Sequence, residues 1–224
     1  MRMIGPVKIT GPILQEDVSV PLATFETPLW PSVNRGALVS KLSGGIKSVV
    51  VEESMTRSVV VEGVDAEYVS HVAATLKDYK DELKAVVTTT SHFARLEDWH
   101  VQIVGNLLYI RFSMSTGDAS GHNMTTKAAD ALLDWILKHF PKLCYVSISG
   151  NYCTDKKASA VNGILGRGKY VVCEMTVSRD ICERTLRTTP EKMVNLHIKK
   201  NLIGTMLAGA IRSANAHFAN MLLA

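Results

Sequence analysis

Apolar and polar residues alternate along this chain with two distinct periods, and those periods divide it into recognisable elements. From Asp65, the run AEYVSHVAATLKDYKDELKAVV places Val69, Val72, Ala73, Leu76, Tyr79 and Leu83 at steps of three and four. That spacing predicts an amphipathic helix, with Asp65 suited to cap its N-terminus. The run WHVQIVGNLLYIRFSM alternates with period two, with Val101 and Ile103 on one side of a Gly105-Asn106 turn and Leu108, Ile110 and Phe112 on the other. A β-hairpin follows. A polar break from Gly117 to Gly121 opens a helix over Met124 to Phe140, which Pro141 stops. Cys144 to Ile148 and Lys169 to Val177 read as strands, the first short and buried. Ser178 is placed to cap a helix to about Arg187, and Pro190 fits the first turn of the next.

The first fifty residues are punctuated by glycine and proline, which argues for turns and short strands such as Val18 to Ala23 and Ser48 to Val51. Helix, hairpin, helix and strand between 58 and 147 make one unit flanked by loop-rich segments. The expected fold is therefore α+β: a large domain of residues 1–57 and 148–224 with a small α+β domain, 58–147, inserted. The apolar stretch Leu202 to Ala224 contains Arg212, Asn215, His217 and Asn220, which favours a buried helix over a membrane span. The N-terminus has no signal-peptide pattern. The apolar final residues, without a capping glycine or polar exit, read as a chain shorter than its architecture wants or a helix that docks into a partner.

Composition narrows the class. The chain has 224 residues, 46% apolar and 21% charged, with a net charge of +4. This is ordinary globular composition, compatible with phosphate-bearing ligands. Its cations are dispersed, with no basic stripe interleaved with aromatics, which argues against nucleic acid. Cys144, Cys153, Cys173 and Cys182 have no metal-ligand spacing and fit reduced thiols in a cytoplasmic protein; no metal site is expected.

Candidate chemistry is scattered. Neither GxGxxG after a strand nor GxxxxGK[ST] occurs, and the glycines and cations of Gly163 to Lys169 match neither fingerprint. Thr154-Asp155-Lys156-Lys157 is either a solvated turn or a loop whose lysine stabilises negative charge developing on a carbonyl oxygen. Glu26 stands in an uncharged, apolar run, where a partly desolvated carboxyl suits a proton donor and a turn carboxylate is the alternative. Asn215, His217 and Asn220 suggest a buried amide network or a ligand.

Several segments, in fixed order, resemble the HMG-CoA reductase family. They are SHFARL (91–96), LYIRF (108–112), SGNYCTDKK (149–157), GRGK around Arg167, KNLIG (200–204) and the Asn215-Ala216-His217 and Ala219-Asn220 pairs. The likeness covers nearly all of the chain and points to the class that uses GNYCTDKK. It implies reduction of HMG-CoA to mevalonate and CoA by two NADPH, with Glu26 in proton transfer and Lys156 stabilising the oxyanion. It implies a substrate pocket of Arg57, Ser149, Asn151, Lys157, Lys200 and Asn220, with Ser32, Asn34 and Arg35 toward CoA. Asp118, Ala119, Ser120, Gly121, His122 and Asn123 match the family's cofactor loop, so NADPH belongs with the inserted domain, expected to be ferredoxin-like. A homodimer with its site at the subunit interface is implied as well.

Three departures qualify the likeness. The family's ENxxG motif is reduced here to Met1-Arg2-Met3-Ile4-Gly5. Ser120 and His122 replace two methionines of the cofactor loop. The family's later catalytic aspartate and histidine are not found. The alternative is therefore a truncated reductase that binds CoA ester or NADPH and needs a second polypeptide for turnover.

Overall fold

The computed structural model describes residues 1–224 except Lys156, Arg212 and His217, and the side chains of Ala219, Leu222 and Leu223. In chain order the elements are β1 (Arg2–Thr10), β2 (Gln15–Leu22), α1 (Leu29–Leu42), β3 (Ile46–Glu62), α2 (Ala66–Thr75), α3 (Lys80–Thr90), β4 (Arg95–Val104), β5 (Leu107–Ser115), α4 (His122–His139), β6 (Cys144–Ser147), α5 (Ala160–Leu165), β7 (Gly168–Glu174), α6 (Arg179–Ile181), α7 (Pro190–Leu196), α8 (Thr205–Leu207) and α9 (Phe218–Leu223). The fold is mixed α+β. It divides into two compact units, residues 51–170 and residues 1–50 with 171–224. Both boundaries fall inside strands, β3 and β7, which pair with each other.

In the 51–170 unit, β3 pairs antiparallel with β5 and, on its other edge, with β6; β4 pairs antiparallel with β5. The strand order is thus β6-β3-β5-β4. Helices α2, α3 and α4 cover one face. Val59 and Val61 of β3 and Leu108, Ile110 and Phe112 of β5 meet Val69, Val72, Leu83, Leu132 and Ile136 of the helices, all buried. Period-two alternation sends Ser58 and Arg111 to the opposite face.

The hairpin and the cap stand as the sequence reads: Asn106 follows the left-handed Gly105, and the Asp65 carboxylate accepts from the Tyr68 N–H at 2.7 Å. The helix that follows is broken, however. Residues Leu76–Tyr79 tighten into a 3₁₀ turn between α2 and α3, which buries Leu76 and turns the Tyr79 ring edge-on to Trp135 at 5.2 Å. The strand at Cys144 is exposed over Cys144–Val146 rather than buried, because it pairs through an edge of the sheet and few side chains cover it.

In the other unit, β1 pairs antiparallel with β2, and its end runs parallel to the start of β3 through Ile9 and Ile46. Helix α1 packs on β1 over a small core of Ile4, Leu22 and Leu29. The MRMIG segment is therefore strand here. The expected continuous helix from Leu202 is not formed: a π-helical stretch His197–Gly204 leads into the short α8, Gly209 turns left-handed (φ 66), and α9 starts at Phe218. Met206 and Leu207 are exposed, so this stretch is not buried within the chain. Among the described residues no helix is long and apolar enough to cross a membrane.

Candidate active site

Each unit assembles part of the residue set singled out in the sequence. In the unit of 1–50 and 171–224, the turn before α1 carries Glu26, and the first turns of α1 carry Ser32, Asn34 and Arg35. Glu26, Ser32 and Arg35 line one cavity of about 660 Å³ with Pro28, Leu29, Pro31, Val33 and Met221. The Asn220 amide, on α9, donates to Glu26 Oε2 at 2.9 Å. Residues 194 positions apart are thus joined at one carboxylate. Glu26 is exposed, not desolvated as its apolar sequence neighbours suggest. Those neighbours turn elsewhere: Leu22 and Leu29 enter the core while Phe25 stands in solvent. Asn34 is used internally, its Oδ1 accepting the Gly5 N–H at 2.9 Å. Lys200 lies exposed on the π-helical stretch, outside that cavity. Asn215 caps α9 through a 3.1 Å bond from the Phe218 N–H, and is not part of a buried helix.

In the 51–170 unit the cofactor-loop candidates form the entry to α4. Thr116 organises that entry: its N–H donates to Glu53 at 2.6 Å and its hydroxyl to the Ala119 carbonyl at 2.8 Å. Gly121 is left-handed (φ 83), and a Cβ there would fall 2.4 Å from Thr116 Cγ2, so only glycine fits. No side chain caps α4, which leaves its first N–H groups available to an anion. Asp118, Ala119 and Ser120 line a cavity of about 340 Å³ with Glu53, Met55, Thr116, Gly168 and Lys169. Lys169 pairs with Glu53 at 3.0 Å and donates to the Gly117 carbonyl at 2.7 Å. Burial pushes the Glu53 carboxyl up, but the Thr116 N–H and the Lys169 ammonium outweigh it and hold it below its ordinary value. His122 and Ser120 lie 3.4 Å apart through Nδ1 and the hydroxyl. Asn123 is exposed on the first turn.

Arg57, half-buried near the end of the β3–β5 pairing, has no hydrogen-bond partner for its Nε among the described residues. A guanidinium left with spare donors is suited to a carboxylate or phosphate. Ser149, Asn151 and Lys157 belong to the segment after β6. Asn151 and Thr154 are left-handed (φ 59 and 49), and the Arg167 guanidinium grips Asp155 at 2.8 Å. Lys156 lies outside the described residues. Glu53 and His100 stand in none of the motifs singled out in the sequence, while Arg111, Tyr152 and Lys169 lie within LYIRF, SGNYCTDKK and GRGK without a role of their own. Among the described residues no group of three or more His, Cys, Asp or Glu is placed to hold a metal ion.

The family model for hydroxymethylglutaryl-coenzyme A reductase matches residues 1–224, the whole chain. This chain belongs to the HMG-CoA reductase family. It is 45% identical over 223 residues to 3-hydroxy-3-methylglutaryl-coenzyme A reductase 2 of Arabidopsis thaliana, covering 98% of this chain and 40% of that protein. A reductase 2 of Dictyostelium discoideum is 42% identical over 223 residues, with 98% and 42% covered. The family member described here thus spans about two-fifths of the length of these relatives. Among solved structures, the class II 3-hydroxy-3-methylglutaryl-CoA reductase from Streptococcus pneumoniae bound to NADPH superposes with a TM-score of 0.63, at 16% identity, over 92% of this chain and 52% of that one. At that identity the likeness is one of fold.

Proposed function

We propose that this HMG-CoA reductase family chain binds HMG-CoA and NADPH and takes part in the reduction of HMG-CoA to mevalonate and CoA by two NADPH. The observation that carries the reading is the family match over all 224 residues. Residues 58–147, the core of the 51–170 unit, would be the inserted cofactor-binding domain; the β6-β3-β5-β4 order with helices on one face supports a ferredoxin-like arrangement. The remaining segments, 1–57 and 148–224, would supply the substrate domain.

NADPH supplies hydride when bound. The chain's own residues fit such a group: the uncapped α4 presents its first N–H groups, and Asp118, Ala119 and Ser120 line the cavity at its entry. Asp118 to Asn123 would hold the cofactor's phosphates chiefly through backbone, so Ser120 and His122 change the rim rather than the cradle. Arg57, Lys157 and Lys200 would meet the HMG carboxylate, with Ser149, Asn151 and Asn220 as hydrogen-bonding groups. Ser32, Asn34 and Arg35 would face CoA. Lys156 would stabilise the oxyanion formed at the thioester carbonyl. Glu26 would move the proton, oriented by the Asn220 amide at 2.9 Å. A homodimer with its site at the subunit interface and a cytoplasmic setting in keeping with four free cysteines belong to the same reading; a truncated reductase that needs a second polypeptide for turnover is the alternative.

The test is HMG-CoA-dependent loss of NADPH absorbance by the purified chain, with Lys156→Ala as control. Turnover that Lys156→Ala abolishes supports the reading. Binding of HMG-CoA without turnover supports the substrate-binding role and assigns the remaining groups to another polypeptide. Binding of neither ligand overturns it.

A further inference from the structure

The face of the 51–170 sheet that the helices leave open is covered by the chain from Gly150 to Arg167, the segment that carries Asp155, Lys156 and Lys157. Apolar burial accounts for little of this cover, with Cys153 its one buried side chain among the described residues. Helix α5 within it buries no residue, and a cavity of about 630 Å³ lies between it and the sheet, lined by His100, Gln102, Tyr109, Tyr152, Ile164 and Leu165 among others. Polar tethers hold the segment instead. Its near limb is fixed on β3: the Gly150 N–H donates to the Ser58 carbonyl at 2.8 Å and the Tyr152 N–H to the Ser58 hydroxyl at 3.1 Å. Tyr152 also meets His100 Nδ1 through its hydroxyl at 2.9 Å. Its far limb is fixed on β5 by Arg111, whose Nη2 donates to the Gly166 carbonyl at 2.6 Å and to Asn162 Oδ1 at 3.2 Å.

Arg111 is only 1% exposed, with its Nε left without a partner among the described residues, and neither acceptor of its hydrogen bonds is a carboxylate. Burying a guanidinium on neutral acceptors is costly, and an apolar side chain would fill the same space more cheaply. What the charge provides is a directional grip on Gly166. The next residue, Arg167, holds Asp155 at 2.8 Å, and the Thr154 and Ser159 hydroxyls meet at 2.9 Å. A continuous line of contacts therefore runs from Arg111 to the residue before Lys156.

We propose that Arg111 is a positioning residue, whose guanidinium fixes the far limb of the 150–167 segment and so sets where Asp155 and Lys157 stand for substrate. The proposal rests on the reading of that segment as the substrate loop. Its experiment separates the two. Amide hydrogen exchange is followed in the whole chain and in Arg111→Lys, and HMG-CoA and NADPH affinities are measured on the same samples. Arg111→Lys keeps the charge but loses the fork. Exchange at 153–166 should accelerate about ten-fold, the shift that losing one charge-assisted hydrogen bond corresponds to. Exchange in α2 and α4 should stay unchanged. HMG-CoA affinity should fall about ten-fold by the same arithmetic, with NADPH affinity within about two-fold. Unchanged exchange at 153–166 overturns the proposal, as does acceleration spread equally through α2 and α4, which marks a residue that serves only the unit's stability. Should Arg111→Lys not fold, Asn162→Ala removes one acceptor from the loop side and must accelerate the same amides; if it does not, the proposal fails. A wild-type chain that binds no HMG-CoA defeats the functional reading alone, because the exchange pattern still decides the positioning.

Discussion

The two units solve the problem of burial in opposite ways. The 51–170 unit closes a continuous core in which Leu108, Ile110, Phe112, Leu132 and Ile136 have no exposed surface. The unit of 1–50 and 171–224 buries Ile4, Leu22 and Leu29 and leaves Val194, Leu196, Ile198, Leu202, Met206 and Leu207 in solvent. Both have similar apolar content to work with. The difference lies in the partners available: three helices on one sheet face against a β1–β2 hairpin edged by the start of β3, one helix and a series of short helical pieces. So small a sheet with one helix offers little surface to bury. The segments matching the family's motifs occur in both units, so stability and candidate chemistry are not allotted together.

Substitutions can break or sharpen that contrast. Leu132→Ala should cost the 51–170 unit about 2–5 kcal/mol by urea unfolding, because the surrounding core cannot collapse into the space. Leu202→Ala, at a residue 46% exposed, should stay within about 0.5 kcal/mol. Equal losses would show that the contrast in burial does not govern stability.

Gly121→Ala comes next, at about 1–3 kcal/mol, since a left-handed alanine would also drive its Cβ into Thr116. Gly105→Ala, left-handed but with open space around it, should cost about 1–2 kcal/mol. A thermal unfolding pair that reverses this order would remove the steric account of the α4 entry.

Smaller still is Glu53→Gln, about 0.5–1 kcal/mol for a pair that keeps partial solvent contact. Glu53 is held below its ordinary value of 4.5, so its stabilisation is present above that value. It is lost as pH falls from 4.5 through the lower folded value, and an acid titration of stability should lose that component in Glu53→Gln. The smallest effect belongs to Glu191→Gln in the other unit. Arg179 holds the exposed Glu191 at about 2, down from 4.5, and its contribution should fade only as pH falls through that range. A larger change in melting temperature for Glu191→Gln than for Glu53→Gln at neutral pH would contradict the ranking.

Legibility in the sequence followed the range of the forces involved. The β4–β5 hairpin and the Asp65 cap were plain because alternation, turn and cap act within a few residues. Of the seventeen-residue β3 only Ser48 to Val51 was read as strand, since IKSVVVEESM mixes charge with apolar residues and its pairing is set by β1 and β5 far along the chain. The Leu202–Ala224 pattern suggested one buried helix, but burial depends on what covers a segment, and Gly209 ends the helical path. The site divides likewise. The motif residues around Gly121 and Asp155 were visible as motifs. That Glu26 is exposed and meets Asn220, and that Arg111 lies under the 150–167 segment, are tertiary facts that no local spacing encodes.

The pairing of Glu26 with Asn220, together with the 2.6 Å bond from the Ala23 N–H to the Ala224 carbonyl, has a consequence in time. Residues 51–170 are contiguous, so they can collapse as soon as they leave the ribosome. The other unit waits. Its first fifty residues emerge early, yet the groups that complete them arrive almost 200 residues later. At about 5–20 residues per second, the Glu26 carboxylate stands unmatched for about 10–40 seconds of synthesis. The order in which the parts of this protein mature is thus written into which of its contacts span the chain.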